Sequence, residues 1–267
     1  MNPAQTRSRV ALGVSYHGGA YQGWQSQSSG KTVQDHLEAA LAAVACHRVS
    51  TLCAGRTDAG VHALMQVVHF DTTAERQENA WVRGCNSLLA HDVAVQWARV
   101  VPAEFHCRAS AISRRYVYVI LQSDVRPSID DGRVGWVIHP LSQPAMQVAS
   151  ELLLGEHDFS SFRAAACQAR SHVKVLQSIR ISRRGAYWRF EFEANAFLHH
   201  MVRNLMGCLL AVGQGKQPPH WVAQVLQARS RKAAAPTFPP HGLYFLGPRY
   251  DTAWGLPERT DGYDGLP

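Results

Sequence analysis

No run of about 18 uncharged apolar residues occurs in the 267-residue chain. The opening MNPAQTRSRVALGVSY has no apolar core of signal-peptide length behind its arginines. Neither membrane spanning nor secretion is expected. The six cysteines (Cys46, Cys53, Cys85, Cys107, Cys167 and Cys208) lie far apart with no CxxC pair, which excludes a zinc clip and a dense disulfide framework. They read as reduced core thiols of a cytoplasmic protein. HExxH, GxSxG, P-loop and GxGxxG signatures are all missing. A metal site would have to come from 14 scattered histidines, of which only His199 and His200 are close. As sequential helix residues they would point about 100° apart, so no metal is expected.

Lysine is scarce as well, with only Lys31, Lys174, Lys216 and Lys232 among 27 basic residues. The rest are arginine, whose planar guanidinium binds phosphates bidentately and stacks on bases. Against 20 acids the net charge is +7, and residues 157–216 hold nine basic residues to three acidic ones. That concentration suits either a nucleic-acid partner or a solvated basic face. With 46% hydrophobic residues the chain can bury a core for one large domain or two small ones.

Alternation of Val10, Leu12, Val14 and Tyr16 predicts a strand over 9–16 with one buried face. A glycine-rich loop follows. Thr32 and Asp35 form a capping-box pattern, opening a helix with Val33, Leu37, Leu41 and Val44 on one face. Strands are expected at 48–54 and 65–71 around the loop GRTDAGVH, then a helix over 77–89 and a strand carrying Val93, Val95 and Trp97. The second half reads as a strand at 115–121, a helix from about Ser142 to Gly155, strands near 173–182 and 186–194, helices around Met201–Val212 and Trp221–Leu226, and a last strand at 243–247. Both halves are β-α-β-β-α-β. The expectation is an α+β fold of two ferredoxin-like halves, with antiparallel sheets side by side, helices on one face and an active-site groove between them. The boundaries fall at 1–108 and 109–250, with 251–267 as a disordered tail.

The loop GRTDAGVH places Arg56, Asp58 and His62 within seven residues, on a tight turn edged by Gly55 and Gly60. On spacing alone Asp58 fits an Asx-turn cap of a hairpin loop, or a nucleophilic carboxylate kept ionised by Arg56. CAGRTDAGVHALMQVVHF closely resembles the catalytic motif of the TruA-type tRNA pseudouridine synthases. The resemblance runs on through YQGWQ, VQDHLEAAL, FHCRASAISRRYVY, LLGEHDFSSFRA, NAFLHHMVRN and GLYFLG. Tyr16-His17-Gly18 departs from the family's usual Tyr-Asp-Gly, and CQAR at 167–170 from CQSR.

The resemblance implies isomerisation of uridine to pseudouridine at tRNA positions 38, 39 and 40 in the anticodon stem and loop, by a homodimer without cofactor or metal. It makes Asp58 the nucleophile and Arg203 its basic partner. Tyr116 would stack on the flipped base and Leu243 would wall the uracil pocket. His62 is a further candidate for substrate binding, and the concentration of charge over 157–216, not the resemblance, nominates Arg163 and Arg170 to bind the RNA backbone. By residue type alone Arg203 is a solvated helix arginine and Leu243 is core. Tyr116 and Tyr118 share a strand face, so parity does not separate them. A non-catalytic RNA-binding protein with ferredoxin-like halves also fits the charge, but it lacks the aromatic RNP1 pattern and has no need of the Arg56–Asp58 loop. A glycoside hydrolase needs a spaced second acid that no comparable loop supplies.

Overall fold

The structure is a computed structural model, and it describes residues 7–259. In chain order its strands and helices are β1 (Ser8–Tyr16), α1 (Val33–Ala45), β2 (Leu52–Cys53), β3 (His62–Thr72), α2 (Glu78–Asn86), β4 (Val93–Val101), β5 (Ala111–Gln122), β6 (Gly135–Val137), α3 (Gln143–Glu151), β7 (Gly155–Asp158), β8 (Val173–Arg184), β9 (Tyr187–Ala194), α4 (Met201–Gly213), α5 (Trp221–Ala228) and β10 (Leu243–Tyr250). The chain divides into two compact units. One runs to Ile112 and resumes at Tyr244, and the other is Ser113–Leu243.

In the first unit β1 lies antiparallel between β3 and β4, and β2 pairs with β3 on its far side. β10 also joins β3, but in parallel, with Tyr244 opposite His62 and Phe245 opposite Ala63. This departs from the expected division at 109–250, because the last strand, read as the end of the second half, belongs here from Tyr244 onward. The Thr32–Asp35 capping box forms as expected. The Thr32 hydroxyl accepts from Asp35 N–H, and the Asp35 carboxylate accepts from Thr32 N–H, an exchange worth about 1 kcal/mol.

Alternation predicts one buried face for β1, yet Val10, Ala11, Leu12 and Val14 are all buried. The second face is closed by Ala11, Val67, Trp97, Phe105 and Cys107, with Tyr250, Trp254 and Leu256 packed against them. Gly13 leaves room there for the Trp97 indole, whose edge a β-carbon would strike. Hence residues 251–259 are not a loose tail. Asp251 caps a short 3-10 turn at Thr252–Trp254, and the Trp254 ring packs 5.2 Å from Phe105. The remainder of the expected tail, 260–267, lies outside the described residues.

The second unit orders its strands β5-β9-β8-β7, all antiparallel, with β6 added in parallel to β5. The helix expected to reach Gly155 stops at Glu151, and β7 takes up the chain at Gly155, whose φ of +98° a side chain would resist. No helix of the described residues is long and apolar enough to cross a membrane. None of the six cysteines is in a disulfide, but only four are core thiols, since Cys46 is exposed and Cys167 half-buried.

His69 is buried in the first unit against Phe105 and His106, with Nδ1 accepting Cys107 N–H at 3.3 Å. Burial above all, then the charges of Arg9 and His106, pulls its pKa from 6.5 down to about 4. The unfolded chain therefore takes up this proton at a higher pH than the folded one. Stability should fall as pH drops from about 6.5 to about 4, by up to ~3 kcal/mol from this residue alone. Asp71 and Asp158, held below the ordinary carboxylate range by Arg9 and by Ser160 respectively, act below that window. Urea unfolding of His69→Gln should show a flatter pH dependence between 4 and 6.5. A slope equal to wild type would contradict the assignment.

Candidate active site

The GRTDAGVH loop leaves β2 and turns into β3 through Ala59 and Gly60. Val61 N–H closes the turn on the backbone carbonyl of Asp58 at 3.1 Å, and Gly60 has the positive φ (+79°) that a type II turn requires. The turn is thus closed by backbone. Exposure alternates along the approach, with Arg56 exposed, Thr57 buried and Asp58 half-buried. Arg56 therefore stands at the surface of the loop rather than within it. Thr57 points inward, where its hydroxyl meets the Tyr16 hydroxyl at 2.7 Å, and its carbonyl accepts Trp24 N–H at 3.0 Å.

The YHGGAYQGWQ loop packs beneath this segment. Gly23, with φ of +84°, passes so close that a β-carbon would lie 2.8 Å from the Thr57 carbonyl oxygen and 3.2 Å from the Asp58 carbonyl carbon. That explains a glycine beside Trp24. His62, expected among the substrate contacts, is only 1% exposed. Its Nδ1 accepts Gly18 N–H at 3.0 Å, and its ring lies between Tyr244 (4.6 Å) and His17 (4.4 Å). It ties the first loop to β3 and β10. His17 forms the exposed end of that ring stack.

In the second unit Tyr116 and Tyr118 do share one face of β5, and burial separates them. Tyr116 keeps 8% of its surface exposed and meets Phe197 edge-on at 5.1 Å. Tyr118 has none, packs on Phe238 and donates its hydroxyl to the Pro239 carbonyl. Arg203, half-buried in the first turn of α4, donates Nε–H to the Phe238 carbonyl at 2.9 Å, and Phe238 N–H returns a bond to its carbonyl. Its neighbour Asn204, fully buried, bridges the Phe162 carbonyl and the Thr237 hydroxyl at 2.7 Å each. These bonds hold the segment leading to Leu243, which is 4% exposed. Arg170 is exposed and Arg163 half-buried, its Nη1 directed at the carbonyls of Ala164 and Ala165.

Two expectations about histidine fail. His199 and His200 do not splay around a helix, because α4 starts at Met201 and His200 adopts a left-handed conformation, bringing the two rings to 4.1 Å. The fold also gathers His69, His106 and Cys107, with potential ligand atoms within 4.8 Å of one another, a cluster that sequence spacing concealed. Nδ1 of His69 accepts Cys107 N–H, and Nδ1 of His106 accepts the N–H groups of Arg108 and Ala109. Those lone pairs are engaged by backbone, an arrangement suited to structure rather than ligation.

A family profile described as tRNA pseudouridine synthase matches residues 13–108 and 149–251, which include the Asp58 loop, Arg163, Arg170, Arg203 and Leu243. The chain belongs to the tRNA pseudouridine synthase family, isomerases that convert uridine in tRNA to pseudouridine. Within it, the chain is 70% identical over 259 residues to tRNA pseudouridine synthase A of Albidiferax ferrireducens, covering 97% of this chain and 100% of that protein. It is 66% identical over 277 residues to the protein of the same name from Paracidovorax citrulli, with the same coverage. Among solved structures, a chain of a Cbf5-Nop10-Gar1 complex aligns with 84% of this chain and 60% of its own at 14% identity and a TM-score of 0.34.

Proposed function

We propose that the enzyme isomerises uridines 38, 39 and 40 in the anticodon stem and loop of tRNAs, with Asp58 as nucleophile. The observation that carries this reading is the Arg56–Asp58 segment. Its turn is closed by backbone and its middle residue is anchored inward, while the acid stands half-exposed beside an exposed arginine. A carboxylate so held can approach C1′ of a ribose or C6 of a uracil. The reaction breaks the N1–C1′ bond, turns the base and joins C5 to C1′, with the C5 hydrogen leaving as a proton.

A stacked uridine is out of reach and must be flipped out, at a cost of a few kcal/mol. Tyr116, the less buried of the two tyrosines, replaces part of the lost stacking, for about 1–3 kcal/mol. Arg203 is assigned to the aspartate and Leu243 to the pocket wall by their motif positions. Arg56 supports the charge of Asp58, and His62 holds the first loop in place. The β4-β1-β3-β2 order supports a ferredoxin-like first half. The enzyme acts as a homodimer in the cytoplasm without cofactor or metal, and its cysteines, none in a disulfide, suit a reducing compartment.

Incubation with tRNA tritiated at uracil C5 tests this reading, since only isomerisation releases that hydrogen. Release in proportion to new pseudouridine supports it. Tight tRNA binding without release would instead indicate a non-catalytic RNA-binding protein.

Arg163 and Arg170 are proposed to bind phosphates, together with Arg183 on β8, which is exposed and lies over the Trp188 ring at 5.1 Å. The combined Arg163→Glu, Arg170→Glu, Arg183→Glu variant should weaken tRNA binding. It should also flatten the plot of log K against log salt by roughly 0.7 to 0.9 for each phosphate no longer neutralised, with the saturated chemical step nearly unchanged. An unaltered slope in filter binding would move the RNA path elsewhere, toward Arg108, Arg114 and Arg115.

A further inference from the structure

The segment carrying Arg56 and Asp58 is strung between two buried side-chain anchors. Upstream, Gln66 on β3 is fully buried, and its carboxamide takes both polar groups of Gly55, accepting the N–H at 3.3 Å and donating to the carbonyl at 2.5 Å. Downstream, the Thr57 hydroxyl meets the Tyr16 hydroxyl at 2.7 Å. Val14 lies opposite Gln66 in the β1–β3 register, so Tyr16, two residues on, and Gln66 occupy neighbouring positions of paired strands. All three residues are buried, and the Tyr16 ring is braced by Trp24 at 5.8 Å between centroids.

We propose that Tyr16, Gln66 and Thr57 are positioning residues for the isomerisation, setting where the Asp58 carboxylate stands. The proposal rests on the reading of Asp58 as the nucleophile. Gly55 and Thr57 flank Arg56, and Asp58 follows directly, so fixing two peptide units fixes the exit direction of both functional side chains. Two buried anchors, one on each side of Arg56, hold such a segment more tightly than either would alone. Displacing a reacting group by about 1 Å can cost a hundredfold in rate. Tyr16 does not act as an acid or base here. Burial pushes its phenol well above the ordinary range, and it stays protonated at working pH.

The test uses the full-length enzyme in excess over C5-tritiated tRNA, so that the single-turnover rate constant is read apart from the active fraction. Tyr16→Phe removes one oxygen and leaves no side-chain cavity. It should lower that constant about 10- to 100-fold, leave the Kd for tRNA within about twofold, and scale the pH–rate profile without changing its shape. Thr57→Val, nearly isosteric, should lose as much, and Thr57→Ser should recover most of it. Tyr16→Phe with Thr57→Val should cost little more than either alone, as the two partners of one hydrogen bond do. A purely structural role would lower the melting temperature and the reaction amplitude while sparing the rate constant. That result, or a Tyr16→Phe constant within twofold of wild type, overturns the proposal. Asp58→Asn is run alongside. If it is silent while Tyr16→Phe is fully active, only the positioning role falls, whereas an active Asp58→Asn overturns both assignments.

Discussion

Asp58→Asn is expected to abolish pseudouridine formation while leaving the fold and the affinity for tRNA intact. Asparagine keeps the size of the side chain but cannot attack carbon as a carboxylate does. The loop should survive, because Val61 N–H bonds the backbone of residue 58 and Trp24 N–H that of residue 57, and neither bond depends on the carboxylate. Turnover should fall below detection at saturating tRNA, the signature of an interaction made in the transition state. Residual turnover within about tenfold of wild type, a loss of only about 1.4 kcal/mol, would reduce Asp58 to a structural residue.

Tyr116→Ala carries the second large effect, and its comparison with Tyr118→Ala makes it decisive. Tyr116 retains some exposure beside Phe197, whereas Tyr118 is fully buried with its hydroxyl on the Pro239 carbonyl. Removing the first should cost up to about 3 kcal/mol of base stacking, or roughly a hundredfold in turnover, with a smaller effect on stability. Removing the second opens a core cavity and should destabilise by about 3–5 kcal/mol, with turnover per folded molecule less affected. Urea unfolding and single-turnover tritium release on both variants check the pair. The reverse pattern would show that the tyrosines have been exchanged.

What the sequence made legible was local. The Thr32–Asp35 capping box occupies four consecutive residues, and the strands with alternating apolar residues lie close to where the period places them. The Asp58 loop stood out through its glycines and its clustered charge. Pairings between distant segments carry no such period. The pairing of β10 with β3 joins residues some 180 positions apart. The packing of Trp254 on Phe105 turned an expected tail into part of the core. The short strands β6 and β7 are too brief to display alternation. At the site, Tyr16 read as a strand residue and Gln66 as an ordinary polar one. Their role emerges only when β1 and β3 lie side by side with the Gly55–Thr57 segment over their ends. The buried glutamine within the apolar run MQVVHF was the one available signal.

The most direct test is tritium release from a set of tRNAs, each labelled at C5 of a single uridine, at position 38, 39 or 40 or outside the anticodon arm. The wild-type enzyme should release tritium from 38, 39 and 40 alone, and Asp58→Asn from none of them. Release from uridines outside the anticodon arm, or undiminished release by the variant, would contradict the assignment of both the substrate positions and the nucleophile.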